Sequence, residues 1–123
     1  MSSFVESCVE TVASSASRAE RRNRGRPRAR ALVRVLSGKR RILVTTHMHP
    51  DPDALGSCVA MVRLLQTQLP DAEVVMSIKG QLGGGVNAEF IRLTELPLTP
   101  WDDAAIATFD GIVLLDTQPS FAY

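Results

Sequence analysis

The sequence has 123 residues, 45% of them hydrophobic, which is enough for one domain with its own core and too little for two. Its net charge of +1 hides an asymmetry: residues 1–41 hold 11 of the 14 Lys and Arg against 3 acids, a net +8, whereas residues 42–123 hold 3 against 10, a net −7. No apolar run approaches the ~20 residues that span a bilayer, and Cys8 and Cys58 stand alone, so the pattern points to no membrane, no disulfide framework, no thiolate zinc site and a reducing, cytoplasmic setting.

The Ser/Ala/Arg-rich start has a faint transit-peptide flavour, against which stand Glu6, Glu10 and Glu20. Phe4, Val5, Cys8, Val9, Val12 and Ala16 fall at three- and four-residue spacings, predicting a short amphipathic helix to about Arg22. "RAERRNRGRPRAR" places seven arginines in thirteen residues around Gly25 and Pro27. That composition predicts a solvated hinge, not a regular helix, with a weak nucleic-acid contact along Arg18 to Arg30 as the sharper alternative. Residues 1–30 are therefore expected to be a helix and an Arg-rich linker, and residues 31–123 the folded body.

"ALVRVLSG" predicts a helix that ends at Gly38. "RILVTT" is apolar and β-branched, a buried strand, and "DALGSCVAMVRLLQTQL" has Leu55, Val59, Val62 and Leu65 at helical spacing until Pro70 stops it. "AEVVMSI" predicts a second strand, "KGQLGGGVN" a loop, "AEFIRLTEL" a short helix, "LTPWDDAAIATF" a turn into another helix near Asp102 or Asp103, and "GIVLLDT" a third strand. Strands alternating with helices predict an α/β fold, three-layered, with right-handed crossovers around a parallel sheet.

In open α/β sheets ligands collect beyond the carboxyl ends of the strands. His47, Asp51 and Asp53 follow the first strand, in "HMHPDPD", and Asp116 follows the third. Imidazole and carboxylate together suit a borderline divalent cation, and carboxylates shared by two such ions form sites that activate water against phosphoryl groups. Gly56 and Ser57, in the first turns of the following helix, add backbone N–H groups that favour an anion. Blander readings exist for each. His47 could be a strand-end histidine bonded to backbone, Asp51 and Asp53 turn and N-cap residues, Asp116 a loop carboxylate, and Gly56 and Ser57 an allowance for close helix packing. Trp101 and Met61 fit a core better than a substrate contact, and Gly83 to Gly85, without a following Lys-Ser/Thr, fit a mobile loop better than a phosphate cradle.

"THMHPDPDALGSCVAM" closely resembles the first motif of the DHH-family phosphoesterases, the group with RecJ-like exonucleases, oligoribonuclease/pAp phosphatases and family II pyrophosphatases, whose usual form is H-x-N-P-D-x-D-A-x-G-S. "GIVLLDTQPS" resembles the family's second motif, and "KGQLGGGVNAEF" is a looser echo of a glycine-containing segment between them. The resemblance spans about residues 31–123. It implies a metal-dependent phosphoesterase acting on a phosphate ester such as pAp, a nucleotide phosphate or a short RNA or DNA. It further implies two divalent ions, Mn2+ foremost, with His47, Asp51 and Asp116 around one and Asp53 and a bridging Asp116 around the other. His49 stands where the family has Asn, which implies a supporting hydrogen-bond role. The Asp-His-His string that names the family does not occur in the 123 residues. The expectation is thus an incomplete DHH-type domain, the N-terminal part of an enzyme, with a non-catalytic fragment or binding module that keeps part of a metal site as the alternative.

Overall fold

The computed structural model describes residues 15–117. The chain divides between Val35 and Leu36 into two units. Of the predicted stripe from Phe4 to Ala16, all but Ala16 lies outside the described residues, as do residues 118–123.

The first unit is dominated by helix α1 (Ser15–Leu36), which runs unbroken through the arginine-rich segment. The expected hinge, and the separate helix over "ALVRVLSG", are therefore one element. Eight arginines and four alanines make up over half of its 22 residues, and both types are among the strongest helix formers. They outweigh Gly25 and Pro27, although Pro27 lacks the N–H that would bond the carbonyl of residue 23. The last turn closes as the Lys39 N–H donates to the Leu36 carbonyl at 3.1 Å, just past Gly38.

The second unit is a small α/β domain. It contains β1 (Arg41–Thr46), α2 (Pro52–Gln68), β2 (Glu73–Met76), α3 (Val86–Thr94), a 3-10 helix (Asp103–Thr108) and β3 (Gly111–Leu115). The strands form one parallel sheet in the order β2-β1-β3, with Val44 opposite Met76 on one side and Val113 on the other. The central strand is buried from Ile42 to Thr46, as a strand covered on both faces must be, which explains its run of apolar and β-branched residues. The ladder of β2 is shorter than "AEVVMSI": it ends at Met76, and Ser77 and Ile78 continue buried beyond it.

Side chains alternate between the faces of the sheet. Ile42, Val44, Met76 and Val113 share one face, and α2 covers it with Leu55, Cys58, Val62 and Leu65, all buried. Leu43 and Val75 line the other face, beneath Pro100, Trp101, Ile106 and Phe109, and a cavity of about 380 Å³ lies between them. The helix expected after Asp102 is six residues of 3-10 helix, N-capped by the Asp102 carboxylate, which accepts from the Ala104 N–H at 2.9 Å. The Trp101 indole N–H donates to the Asp103 carboxylate at 2.8 Å.

Both ends of the β1–β3 pair are pinned by side chains. At the amino end the Asp110 carboxylate accepts from the N–H groups of Arg40 and Arg41, at 2.9 Å for each shortest contact. At the carboxyl end the Thr46 hydroxyl donates to the Leu115 carbonyl at 2.7 Å. Because Thr46 is opposite Leu115 in register, the next residues, His47 and Asp116, emerge side by side.

Candidate functional site

The loop after β1 begins with His47. Its Nδ1 lies 2.8 Å from the carbonyl oxygen of Met48, which can only accept, so Nδ1 carries the proton. The other ring nitrogen, Nε2, faces the Asp116 Oδ2 at 3.5 Å. A ring nitrogen facing a carboxylate is satisfied by a positive species between them, either a proton or a cation. A separation of 3.5 Å is one that two ligands of a single ion can span with bonds of about 2.1 Å. The backbone carbonyl on the far nitrogen is also the arrangement that orients metal-binding histidines. The donor set therefore fits a borderline divalent cation.

The backbone is held in an uncommon conformation at both loops. Asp116 and His49 have φ of 54° and 55°, in the left-handed region that side chains other than glycine enter at a cost. Asp and His tolerate it better than most residues, and at Asp116 it turns the chain sharply as it leaves β3.

Asp51 is the N-cap of α2, its Oδ1 accepting from the Ala54 N–H at 2.8 Å. The structure thus places it in the capping role, and Oδ2 keeps its lone pairs. Asp53 is exposed in the first turn, where the helix dipole favours an anion. Its backbone carbonyl accepts from the Ser57 hydroxyl at 2.9 Å. Gly56 has open space where a side chain would begin, so close helix packing does not account for it. All of these residues belong to the carboxyl edge of the sheet. The structure brings His47 and Asp116 together, and among the described residues no three His, Cys, Asp or Glu side chains converge on one point.

Asn87 was not singled out by the sequence, yet it ties the site to the glycine loop. From the start of α3, its Nδ2 donates to the carbonyls of Pro50, at 2.6 Å, and Leu82, at 3.1 Å. Pro50 is fully buried, so this bond anchors the His/Asp loop from behind. The Met48 side chain also approaches Gly80, 3.7 Å from where a Cβ would stand. Gly83 and Gly85, at φ of 78° and 62°, make the turn that brings Asn87 into place. The signal in the sequence was an amide just past "GGG", but its partner lies 37 residues away.

Two residues outside the site complete the inventory. Cys58 is buried under the sheet, and burial pushes its thiol up to about 11, so it packs and does not react as a thiolate. Trp101, half-buried, lines the cavity on the opposite face of the sheet from α2.

Against known proteins, the chain is similar to a protein of Methanocaldococcus jannaschii described as uncharacterized protein MJ1633, with 29% identity over 79 residues. The match covers 64% of this chain and 16% of that protein, so this chain corresponds to a small part of the relative's length. No family model matches the sequence. No solved structure matches it either.

Proposed function

We propose that the second unit is the metal-binding part of a phosphoesterase of the DHH type, acting on a phosphate ester such as a nucleotide phosphate or a short oligonucleotide. The observation that carries this reading is the His47–Asp116 pair: an imidazole Nε2 facing a carboxylate at 3.5 Å, from the ends of adjacent strands, with the other nitrogen tied to the Met48 carbonyl. His47 and Asp116 would hold the first cation, Mn2+ foremost, and Asp51 and Asp53 would complete or extend the set from the start of α2. When bound, such an ion supplies acidity to water and positive charge to phosphoryl oxygens.

The chain's own groups then have distinct duties. Thr46 fixes the spacing of the two strand ends, Met48 sets the tautomer of His47, and Asn87 holds the loop through Pro50. Gly56 leaves room near the start of α2 for phosphate oxygens, beside the exposed Ser57, where the helix dipole is favourable.

Titration with Mn2+ by calorimetry tests this. Binding should be weak in the 123-residue chain and should be lost in His47→Gln and in Asp116→Asn. Tight binding of two ions that survives both substitutions would refute the assignment. A second reading, a binding module without turnover, is favoured by the engagement of Asp51 in capping. Release of phosphate or mononucleotide from pAp and short RNA in Mn2+ separates the two. Turnover that disappears in Asp53→Ala marks an enzyme; where the 123-residue chain binds Mn2+ without turnover, activity gained by a chain extended beyond residue 123 marks the incomplete enzyme, and no gain marks the module.

A further inference from the structure

Helix α1 carries eight arginines and one glutamate, a net +7 over 22 residues. Arg18, Arg22, Arg26, Arg30 and Arg34 occupy every fourth position of this helix. At 1.5 Å per residue they rise about 6 Å apart and form a row about 24 Å long. A row of this kind drifts only about 40° per step, so successive guanidinium positions stay on neighbouring lines of the helix surface. Arg26, Arg30 and Arg34 are exposed. Arg24, off the row, is the arginine that faces the lone glutamate, with 4.0 Å between Arg24 and Glu20. Among the described side chains Arg26, Arg30 and Arg34 have no acidic partner.

We infer that α1 binds the phosphate backbone of a nucleic acid, without reading its sequence, through the row Arg18, Arg22, Arg26, Arg30 and Arg34. This goes beyond the proposed function, since it concerns the first unit and needs neither a metal nor turnover. From Arg18 to Arg34 the row also turns through about 160°, so its two ends face the opposite walls of a groove, and over about 24 Å the two flanking strands present enough phosphates to meet five arginines. Arginine suits the task because its planar guanidinium donates to two phosphate oxygens at once. An anionic membrane is the weaker match. Interfacial helices need an apolar face along their length, and here Leu32, Val33, Val35 and Leu36 all gather in the last turns. Direct reading of base edges is not implied, because an all-arginine row offers one chemistry at each step.

The test is fluorescence anisotropy with the whole 123-residue protein, using labelled mixed-sequence duplex DNA of about 20 base pairs and, in a second arm, single-stranded RNA of similar length. Five neutralised phosphates give a slope of log affinity on log salt of about −4.5 for duplex and about −3.5 for the single strand. Duplex binding should then weaken about 500-fold between about 50 and 200 mM salt. The triple variant Arg26→Gln, Arg30→Gln, Arg34→Gln keeps good helix formers and should reduce the duplex slope to about −1.8. The arm with the tighter binding at equal salt identifies the preferred strand form. A flat salt dependence, an unchanged slope in the triple variant, or equal binding to phosphatidylserine vesicles would overturn the inference. Mn2+ calorimetry on the same variant separates it from the reading of the second unit. Loss of nucleic acid with Mn2+ binding kept supports α1 as the binding element, whereas loss of both overturns it.

Discussion

Asp51 shows how one side chain can serve the fold and the site together. Its Oδ1 caps α2 through the Ala54 N–H, and asparagine caps about as well as aspartate but carries no charge. Asp51→Ala should therefore lower the unfolding free energy by about 1 kcal/mol, and Asp51→Asn by only a few tenths. Both should weaken Mn2+ binding, and full Mn2+ binding by Asp51→Asn would remove Asp51 from the ligand set. Asp116 makes a parallel case through its backbone, because φ of 54° suits asparagine nearly as well as aspartate and a β-branched residue badly. Asp116→Asn should keep the melting temperature close to that of the parent while removing the ionic partner of His47. Asp116→Val should cost about 1–2 kcal/mol by thermal or urea denaturation. Equal stability in the two variants would mean that the backbone at this position relaxes freely.

At the scale of elements, the β1–β3 pair depends on Asp110, whose carboxyl is held below its usual range because the N–H groups of Arg40, then Arg41, bond the charged form. A group depressed in the folded state stabilises the fold above its unfolded value, near 4 for a carboxyl, and that contribution is lost as pH falls through the folded value. Urea denaturation should accordingly show stability falling below about pH 4, with a shallower fall in Asp110→Asn. An identical acid profile in that variant would exclude Asp110 as a source of the loss. Helix α1 offers the complementary backbone test. Pro27→Ala restores a missing helical bond and removes a penalty of about 3 kcal/mol, so amide exchange within residues 15–36 should slow. These two elements also mark where the sequence was legible. β1 announced itself because a strand buried on both faces is rich in apolar and β-branched residues, and α2 because Leu55, Val62 and Leu65 recur at helical spacing before Pro70. In α1, charge density and Pro27 suggested a hinge and concealed the helix propensity of arginine and alanine. The 3-10 turn at Asp103 was also out of reach, since the Trp101–Asp103 bond and the packing over the sheet are tertiary features. Within the site, His47 and Asp116 were visible as strand-end residues, whereas the tautomer of His47, the φ of Asp116 and the Asn87 tether depend on contacts that no local pattern encodes.

For the whole molecule, the relevant surface is the far side of β3. The β2 edge is partly closed, since the Thr99 N–H donates to the Met76 carbonyl at 2.8 Å and Leu98 forms a bridge there. β3 is the other edge strand, and no further strand pairs with it among the described residues. Its Ile112 and Leu114, which share a face, are 50% and 39% exposed. An edge that offers unpaired backbone groups beside exposed branched side chains is a template for association, and a net charge of only +1 gives little repulsion to oppose it. The 123-residue chain should therefore self-associate as its concentration rises, most strongly near its isoelectric point of about 7.8. A lysine at either apolar position places charge on the edge without emptying the core, because Val113 alone of the strand's central residues is buried. Sedimentation velocity across a concentration series should show larger species for the parent at pH 7.8, and a monomer for the Ile112→Lys, Leu114→Lys double variant with its melting temperature little changed. Monomeric behaviour of the parent throughout the series would show that this edge is protected. Unchanged association of the double variant would place the contact elsewhere on the surface.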